Sequence, residues 1–337
     1  MIKTVLITGV AGLLGSRLAE WIIHTHPHIK VIGIDDLSGG HRTNIPPDVH
    51  FYKENLLNEG VEAIFAKHRP DVVYHYAAYA AEGLSPFIRK FNYSNNLVST
   101  AGVVNSCIKY AAQRLVFTSS IAVYGEGTPP FREDDIPLPI DPYGVAKYAC
   151  ELDIQIAGAQ HGLDWCILRP HNVYGRNQNI WDRYRNVLGI WMYQHLKGEP
   201  FTIFGDGEQE RAFSCVDDCL EPMWLAGTGK EASKQIINIG SLRSYTINEC
   251  AALLKEIIKG AGIVYLEARH EVKAAHPAGH KALTLLNYKD TTPLTKGLLE
   301  MWEWASSQPE RPQFSWETYE LDEGMYACWK NAQNEAH

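Results

Sequence analysis

A tyrosine and a lysine four residues apart are the side chains of this sequence with the most evident chemistry. In a helix, Tyr143 and Lys147 would lie one turn apart on the same face. A phenol with a pKa of about 10 is a poor base at neutral pH. A neighbouring ammonium group stabilises the phenolate and lowers that pKa. Ser120 follows an apolar run typical of a strand and supplies a hydroxyl for a substrate oxygen, so we predict Ser120, Tyr143 and Lys147 as a catalytic group.

The elements that must position this group can be predicted from the flanking sequence. Asp141-Pro142 is a helix-start signal, and apolar residues recur at helical spacing from Tyr143 to His161. The residues that supply this spacing are Ala146, Ala149, Leu152, Ile156 and Ala159. The run from Arg114 to Thr118 predicts a strand that ends just before Ser120.

The start of the chain predicts a dinucleotide-binding turn. A short apolar strand, Lys3 to Thr8, leads into Gly9, Gly12 and Gly15, and a helix is expected from Leu13 to His24. In that context the first glycine permits a tight turn and the second lets the backbone approach a pyrophosphate. The third lets the helix pack closely on the strand, and the helix N-terminus faces the phosphates.

An acidic residue ends the second predicted strand, about twenty residues after the glycines. Asp35 can accept hydrogen bonds from the ribose hydroxyls of an adenosine and repel a 2′-phosphate, which favours NAD over NADP. An ordinary turn-capping role for Asp35 is the alternative, and Asp36 and Arg42 nearby leave the choice between NAD and NADP open.

Strands alternate with helices through the first half of the sequence, which predicts an α/β fold of the Rossmann type with a doubly wound parallel sheet. In such sheets ligands bind beyond the carboxyl ends of the strands. Gly9, Asp35, Ala77 and Ser120 all follow predicted strands. We therefore expect these motifs to form one site.

Composition sets limits on the class of protein. The 337 residues are 45% hydrophobic and 21% charged, as in soluble globular proteins, and the length suggests two lobes. A net charge of -8 argues against nucleic acid or an anionic membrane as the main partner. No apolar run is long enough to span a bilayer, and no cleavable leader is recognised. Seven scattered cysteines predict reduced thiols, a cytoplasmic location and no metal site.

Several motifs, taken together, resemble those of one enzyme family. They are Thr8-Gly9-Val10-Ala11-Gly12-Leu13-Leu14-Gly15, Asp35-Asp36-Leu37-Ser38, His75-Tyr76-Ala77-Ala78, Ser119-Ser120-Ile121-Ala122-Val123-Tyr124-Gly125, Tyr143 to Lys147, Leu168-Arg169-Pro170-His171-Asn172-Val173-Tyr174-Gly175, and Phe204-Gly205-Asp206-Gly207 through Arg211 to Asp218. In this order they resemble the extended short-chain dehydrogenases/reductases of the nucleotide-sugar epimerase and dehydratase group. The resemblance covers about the first 300 residues.

The resemblance implies roles for individual residues. Tyr143 would be the base, Lys147 would hold the nicotinamide ribose, and Ser120 would bond the reacting sugar hydroxyl. The residues expected to bind NAD are Gly9, Gly12, Leu13, Leu14, Gly15, Asp35, Asp36, Asn55, Leu56, Tyr76, Ala77, Ala78, Thr118, Tyr143, Lys147 and Pro170. Those expected to bind the substrate are Glu82, Ser120, Tyr143, Asn172, Arg211 and Arg269. Arg211 and Arg269 would clamp a diphosphate, which guanidinium groups bind in a bidentate manner, although a surface ion pair is the ordinary alternative for each.

The resemblance also divides the chain into two interleaved lobes. We predict an NAD-binding Rossmann domain over residues 1–174 and a nucleotide-sugar-binding lobe over 175–337, with a segment near 215–240 returning to the first. A helix is expected from Tyr184 to Lys197. The aromatic and acidic tail, Phe314 to Trp329, has no predicted function and could wrap the lobe or form a subunit contact.

One departure from the family motifs narrows the predicted reaction. Dehydratases of the group follow the catalytic hydroxyl with Asp-Glu, whereas Ile121-Ala122 follow Ser120 here, and neither side chain transfers protons. What remains is oxidation at the sugar C4 and its reversal, as in UDP-glucose 4-epimerases. We predict NAD-dependent C4 epimerisation of a nucleotide-diphosphate hexose, with a UDP-hexose as the first choice of substrate.

The alternatives left open are a C4 reductase or an epimerase of a GDP-, CDP- or dTDP-sugar, and a non-catalytic NAD-binding scaffold or sensor. By analogy with the group we expect a homodimer formed through the helices at 95–111 and 143–161. The outward residues that we predict for these helices are Val103, Tyr110, Tyr148 and Ile154.

Overall fold

The structure is a computed structural model that describes residues 2–334, with side chains as far as Lys330. Its strands are β1 (Thr4–Thr8), β2 (Lys30–Asp35), β3 (His50–Lys53), β4 (Val72–His75), β5 (Arg114–Thr118), β6 (Trp165–Pro170), β7 (Val173–Tyr174), β8 (Phe201–Phe204), β9 (Glu210–Ala212), β10 (Ser214–Cys215), β11 (Gln235–Ile239), β12 (Ser244–Thr246), β13 (Ile263–Leu266) and β14 (Ala274–Ala275). Its α-helices are α1 (Leu13–Thr25), α2 (Gly60–His68), α3 (Arg89–Tyr93), α4 (Ser99–Lys109), α5 (Pro142–His161), α6 (Val187–Leu196), α7 (Val216–Thr228), α8 (Ile247–Ile257), α9 (His280–Leu285), α10 (Leu294–Ser306) and α11 (Ala327–Asn334).

Within the described residues, seven parallel strands form the central sheet in the order β11-β6-β5-β4-β1-β2-β3. The order reverses at β1, so the chain winds outward in both directions from it. The carboxyl ends of these parallel strands therefore share one edge of the sheet, as expected. The turns after β1, β2, β4 and β5 lie along that edge. The predicted α/β doubly wound fold is confirmed.

Helices cover both faces of the sheet, which explains why its strands are apolar on both sides. One core packs α1 and α7 against the sheet through residues such as Leu18 and Met223. The opposite core uses α2, α4 and α5, with Ile64, Val104 and Ile154 buried. Burial of one such side chain contributes about 1.5–3 kcal/mol, so the position of the carboxyl edge is held by many independent contacts.

The buried face of α5 differs from the one that apolar spacing indicated. The helix is present, and Asp141 caps it by accepting from the Gly144 N–H at 2.8 Å. However, Leu152 and Ile156 are 44% and 53% exposed, whereas Ile154 is fully buried. The helix is apolar on more than one side, so periodicity alone could not decide which side met the sheet.

The residues predicted to form a subunit contact are corrected in the same way. Val103 and Ile154 are fully buried in the core, and Tyr110 and Tyr148 are half-buried. The large apolar side chains that are exposed on this surface are Val98, Val145, Leu152 and Ile156. The predicted helix at 95–111 is also longer, since α3 and α4 join through a π-helical turn, Ser94–Val98.

The second half of the chain supplies both sheet strands and a separate set of elements. β11 pairs with β6 and α7 packs on α1, so this segment is part of the sheet layer. The smaller elements, β8 with β13 and β9 with β12 and β14, surround another core that contains Trp191, Leu254 and Met301. The division at residue 174 stays a prediction.

Two helix starts in this half are set by side-chain caps. The helix predicted from Tyr184 begins at Val187, because Asn186 accepts from the Leu188 N–H and terminates the preceding loop. Thr246 and Glu249 form a capping box at the start of α8, so Thr246 is the N-cap of that helix.

The aromatic tail, Phe314 to Trp329, packs onto the rest of the chain. Tyr319 and Trp329 join Tyr79, Phe87 and Tyr184 in one buried cluster. Glu320 accepts from two backbone N–H groups in the first turn of α3, at 2.7 and 2.8 Å, and so ties the tail to that helix. The tail is therefore packed against the rest of the protein. The subunit-contact alternative is untested.

Two further observations concern the described residues only. No helix among them is long and apolar enough to cross a membrane. All seven cysteines are free thiols, and six of them are buried.

Candidate cofactor and substrate site

One cavity runs along the carboxyl edge of the sheet and brings nearly all of the predicted site residues together. Its volume of about 390 Å³ is in the range of small-molecule and cofactor sites. Every residue predicted to bind NAD lines it, and so do Glu82, Ser120, Asn172 and Arg269. Arg211 is the one predicted site residue that does not line the cavity.

The glycine turn after β1 is as tight as the sequence predicted. Gly9 has a φ of 71°, and a Cβ there would lie 2.7 Å from the Ala77 nitrogen. A Cβ on Gly15 would lie 2.2 Å from the Gly9 carbonyl oxygen. α1 begins after Gly12 with no side-chain cap, so the N–H groups of its first turn remain for a ligand. This is the geometry that a pyrophosphate requires.

Asp35 lies at the end of β2 and is fixed by the backbone around it. Its two carboxylate oxygens accept from the Ala11 and Leu37 N–H groups, at 2.9 and 2.8 Å. Burial raises the pKa of Asp35, and these two bonds oppose the rise. Asn55 donates to Asp36 at 2.7 Å and so connects the ends of β3 and β2. The carboxylate is thus oriented beside the cavity, as recognition of a ribose requires.

Tyr143 and Ser120 face each other at the other end of the cavity. Tyr143 is 4% exposed, and burial raises the pKa of its phenol, with the carboxylates of Glu82 and Asp141 adding to the rise. A hydrogen bond from Ser120 and the charge of Arg185 act in the opposite direction. The Ser120 hydroxyl also accepts from the Ala122 N–H, which fixes it at the start of the following turn.

Lys147 is not among the principal groups that shift the pKa of Tyr143. Its Nζ donates to the Thr118 carbonyl oxygen at 2.7 Å and lies 5.8 Å from the centre of the Tyr143 ring. Burial lowers the pKa of Lys147 itself to about 8. Desolvation of Tyr143 outweighs the charges around it and sets the direction of its pKa shift.

A buried ion pair that the sequence analysis did not identify lies directly behind this group. Arg169 forms two bonds to Glu151, at 2.9 and 2.6 Å, and Ser119 also donates to that carboxylate. Arg169 further donates to the Tyr124 hydroxyl at 2.8 Å. Glu151 is one turn after Lys147 on α5, so the pair joins α5 to β5 and β6 beneath Ser120. A glutamate four residues after Lys147 was the signal available in the sequence.

Several buried polar atoms along the cavity have no partner within the described residues. They include Thr118 Oγ1, Asn172 Nδ2 and both amide atoms of Gln178. Asn172 also has a positive φ of 37°, an uncommon conformation for a residue other than glycine. Unpaired buried polar atoms cost free energy, so they indicate positions that a ligand fills. Together with the open helix start, they fit a dinucleotide.

The substrate end of the cavity carries a cluster of opposite charges. Arg211 pairs with Glu271 at 2.9 Å, and Arg269 lies 3.6 Å from the same carboxylate, with its guanidinium over the Phe204 ring. Glu82 projects into the cavity next to this cluster. The Glu82 side chain is exposed to the cavity, and the surrounding protein, followed by the charge of Asp141, raises its pKa to about 7. Glu271 was not predicted from the sequence.

Further cavity residues come from segments that carried no motif. Tyr79, Tyr184, Arg185 and Asn179 line the cavity. The tail supports this part of the wall, since Trp316 donates to the Tyr79 hydroxyl and the Tyr184 and Tyr319 hydroxyls are 2.7 Å apart. The sequence showed only a polar loop after residue 175, so its role at the site could not be predicted.

Comparison with known proteins identifies the family. The NAD dependent epimerase/dehydratase family matches residues 5–240. The chain belongs to this family. The predicted group, nucleotide-sugar epimerases of the extended short-chain dehydrogenase/reductase type, and the predicted cofactor, NAD, are confirmed.

Individual members of the family are similar over most of their length. A UDP-glucose 4-epimerase of Azospirillum brasilense is 36% identical over 269 residues, 75% of this chain and 77% of that protein. The structure of UDP-glucose 4-epimerase with UDP-glucose from Thermotoga maritima has a TM-score of 0.83 at 33% identity, over 89% of this chain and 98% of that one. UDP-glucuronic acid 4-epimerase from Bacillus cereus, with UDP-glucuronic acid and NAD, has a TM-score of 0.83 at 29% identity, over 90% and 99%.

Proposed function

We propose that this family member epimerises C4 of a nucleotide-diphosphate hexose, with a UDP-hexose as the substrate. The observation that carries the proposal is the convergence of Ser120, Tyr143 and Lys147 at one end of the cavity, while the residues after Ser120 are Ile121 and Ala122. Such a site has a proton-transferring phenol, and neither residue after Ser120 carries an acid for the loss of water. Oxidation at C4 and its reversal need nothing more from the protein.

In the proposed cycle Tyr143 takes the proton of the 4-hydroxyl while Ser120 aligns that oxygen. NAD, when bound, supplies the hydride acceptor. The 4-keto sugar then turns within the cavity while its diphosphate stays held, and Tyr143 returns the proton after reduction from the opposite face. Burial of Tyr143 excludes water from the reacting atoms.

We assign the cofactor along the same cavity as predicted from the sequence. The turn from Gly9 to Gly15 would hold the pyrophosphate, Asp35 the adenosine ribose and Lys147 the nicotinamide ribose. The close approach of Gly9 to Ala77 and the uncapped start of α1 support this assignment. The carboxylate of Asp35 disfavours a 2′-phosphate and supports NAD over NADP.

We assign the substrate diphosphate to Arg269 and Arg211. Arg269 lines the cavity, whereas Arg211 does not line it and pairs with Glu271, the carboxylate next to Arg269. Asn172 offers its unpaired Nδ2 to the sugar or phosphate.

A proton NMR time course tests the proposed reaction. Purified protein without added cofactor is given UDP-glucose, UDP-galactose, UDP-N-acetylglucosamine or UDP-glucuronate in separate samples. We expect the C4 epimer to appear with at least one hexose and no reduced cofactor to accumulate. Absence of any epimer from protein shown to contain NAD would reject the UDP-sugar assignment, and a panel of GDP-, CDP- and dTDP-sugars would then test the alternatives.

Glu82 should make substrate binding pH-dependent. A carboxyl group with a raised pKa of about 7 is neutral below that pH and negative above it, and the negative form repels the diphosphate. We expect the affinity for UDP-glucose to fall by roughly tenfold between pH 6 and pH 8. The measurement is titration calorimetry with NAD-loaded protein.

The matched variants for this prediction are Glu82→Gln and Glu256→Gln. Glu82→Gln should bind UDP-glucose with nearly the same affinity at both pH values. Glu256 is exposed on α8, away from the cavity, so its variant should keep the pH dependence of the original protein. A Glu82→Gln variant that keeps the full dependence would show that another group titrates.

We further propose a cytoplasmic homodimer. Seven free cysteines without a disulfide within the described residues favour a reducing compartment. The exposed apolar residues Val98, Val145, Leu152 and Ile156 form a patch on α5 and the adjoining π-helical turn, suited to a two-fold contact. This patch replaces the residues predicted from the sequence.

Light scattering after gel filtration tests the dimer. The original protein should have twice the 37.9 kDa mass of the chain, and Leu152→Glu should lower it to the monomer mass. Leu283 is equally exposed but lies on α9, so Leu283→Glu should remain dimeric. A monomeric original protein would contradict the proposal.

A further inference from the structure

Arg185 is a largely buried cation that lines the cavity. Neither the predicted catalytic group nor the predicted substrate clamp includes it. It lies near the end of the loop at residues 176–186, which we call the cover loop, just before α6. Its Nε donates to Asp182 at 3.0 Å, and Asp182 is almost fully buried. Its guanidinium also lies over the Tyr79 ring, 4.5 Å from the centre. These two contacts therefore fix the orientation of the Arg185 guanidinium group.

The outer nitrogens of that fork remain available. Among the described residues, neither Nη atom of Arg185 has a hydrogen-bond partner, although the side chain is only 19% exposed. Nη2 lies 2.7 Å from the position that a Cβ on Gly39 would occupy. Since residue 39 is a glycine, the guanidinium can reach across the loop that follows β2. A half-enclosed fork with free N–H groups favours an anion.

The position of Arg185 along the cavity identifies which anion. Burial raises the pKa of both Asp35 and Tyr143, and the charge of Arg185 opposes the rise in each case. All three residues line the same cavity, and Arg185 approaches the loop after β2 at Gly39. Asp35 and Tyr143 mark the adenosine and nicotinamide ends of the assigned cofactor path. The middle of that path is the pyrophosphate.

The rest of the cover loop is attached to the same part of the molecule. Asn177 donates to the Ser16 hydroxyl on α1 at 3.1 Å, and Asn179 donates to the Gly39 carbonyl oxygen at 3.1 Å. Asn44 donates to the Asn177 carbonyl oxygen at 3.2 Å. The loop thus spans from the first turn of α1, next to the glycine turn, to the loop after β2.

We propose that Arg185 binds the pyrophosphate of NAD in addition to the glycine turn, and that the cover loop retains the cofactor. A guanidinium fork would add charge-assisted bonds to those made by the helix N-terminus. Retention matters because an epimerase returns the hydride to the sugar from which it came. The inference depends on NAD as cofactor and on no particular sugar, so failure of the proposed substrate would leave it intact.

The test compares Arg185→Ala and Arg185→Lys with Arg176→Ala. Arg176 is in the same loop, but it is exposed and pairs with Glu20 outside the cavity, so it is a matched control. Each protein is purified identically, its melting is recorded, and bound NAD is released with acid and counted per chain. The apoproteins are then titrated with NAD, with ADP-ribose, which keeps the pyrophosphate but lacks nicotinamide, and with UDP.

We expect Arg185→Ala to lose NAD during purification and to bind NAD and ADP-ribose about 10- to 100-fold more weakly, by equal factors. Its affinity for UDP should be unchanged. Arg185→Lys keeps the charge without the fork and should fall between Arg185→Ala and the original protein. It also provides the comparison if Arg185→Ala fails to fold. Arg176→Ala should retain NAD fully.

Two results would overturn the proposal. If Arg185→Ala or Arg185→Lys retains NAD and binds ADP-ribose normally but binds UDP more weakly, the guanidinium serves the substrate diphosphate instead. If NAD affinity falls while ADP-ribose affinity does not, Arg185 acts at the nicotinamide end.

Discussion

Replacing Tyr143 by phenylalanine should lower kcat by about 10²- to 10⁴-fold, the usual contribution of a general base. The ring is buried, and phenylalanine keeps its packing while removing the hydroxyl that faces Ser120. Because the other proposed cofactor contacts are unchanged, bound NAD per chain should stay nearly the same. The measurement is the initial rate of C4 epimerisation by NMR, together with acid release of NAD.

Tyr148→Phe is the control for this substitution. Tyr148 is on the next turn of α5, half-buried against the cluster that contains Ile121 and Phe131, and it does not line the cavity. Its variant should keep the original rate within a factor of about two. A Tyr143→Phe protein with more than about a tenth of the original kcat would contradict the assignment of Tyr143 as the base.

Removing Glu151 should destabilise the protein by about 3–5 kcal/mol, because Arg169 would be left as an uncompensated buried charge. Both side chains are at most 2% exposed. Ser119 would lose its acceptor at the same time. The measurement is the free energy of unfolding from urea denaturation of Glu151→Ala and the original protein.

Glu151→Gln and Glu62→Ala separate the possible causes. Glu151→Gln keeps the shape and one acceptor, so its loss should be smaller than that of Glu151→Ala. Glu62 pairs with Lys109 on the surface, where solvent screens the interaction, and Glu62→Ala should change stability little. An equally small change in Glu151→Ala would show that the buried pair contributes nothing, and that water or relaxation compensates for its loss.

The Glu151–Arg169 pair also shows why part of the site was hidden in the sequence. A glutamate on a helix is ordinarily a solvated surface residue, and only the packing of α5 against β6 places Glu151 beside Arg169. The same packing decided which face of α5 was buried. Ile154 went inside and Leu152 outside, although both are apolar, because the sheet geometry rather than the composition of the helix sets the contact.

The sequence by itself determined the sheet, the glycine turn and the edge at which the site lies. Strand and helix periodicities are local, and parallel topology places the ends of strands on a common edge, so Gly9, Asp35 and Ser120 could be placed together without coordinates. The tertiary structure alone decided the environment of each group. The pKa of Tyr143 is raised because its burial outweighs its neighbours, and Arg185 faces the cavity because a loop from the distant second half folds over Gly39. Such contacts join residues far apart in sequence through loops without periodicity, and for that reason no local pattern could predict them.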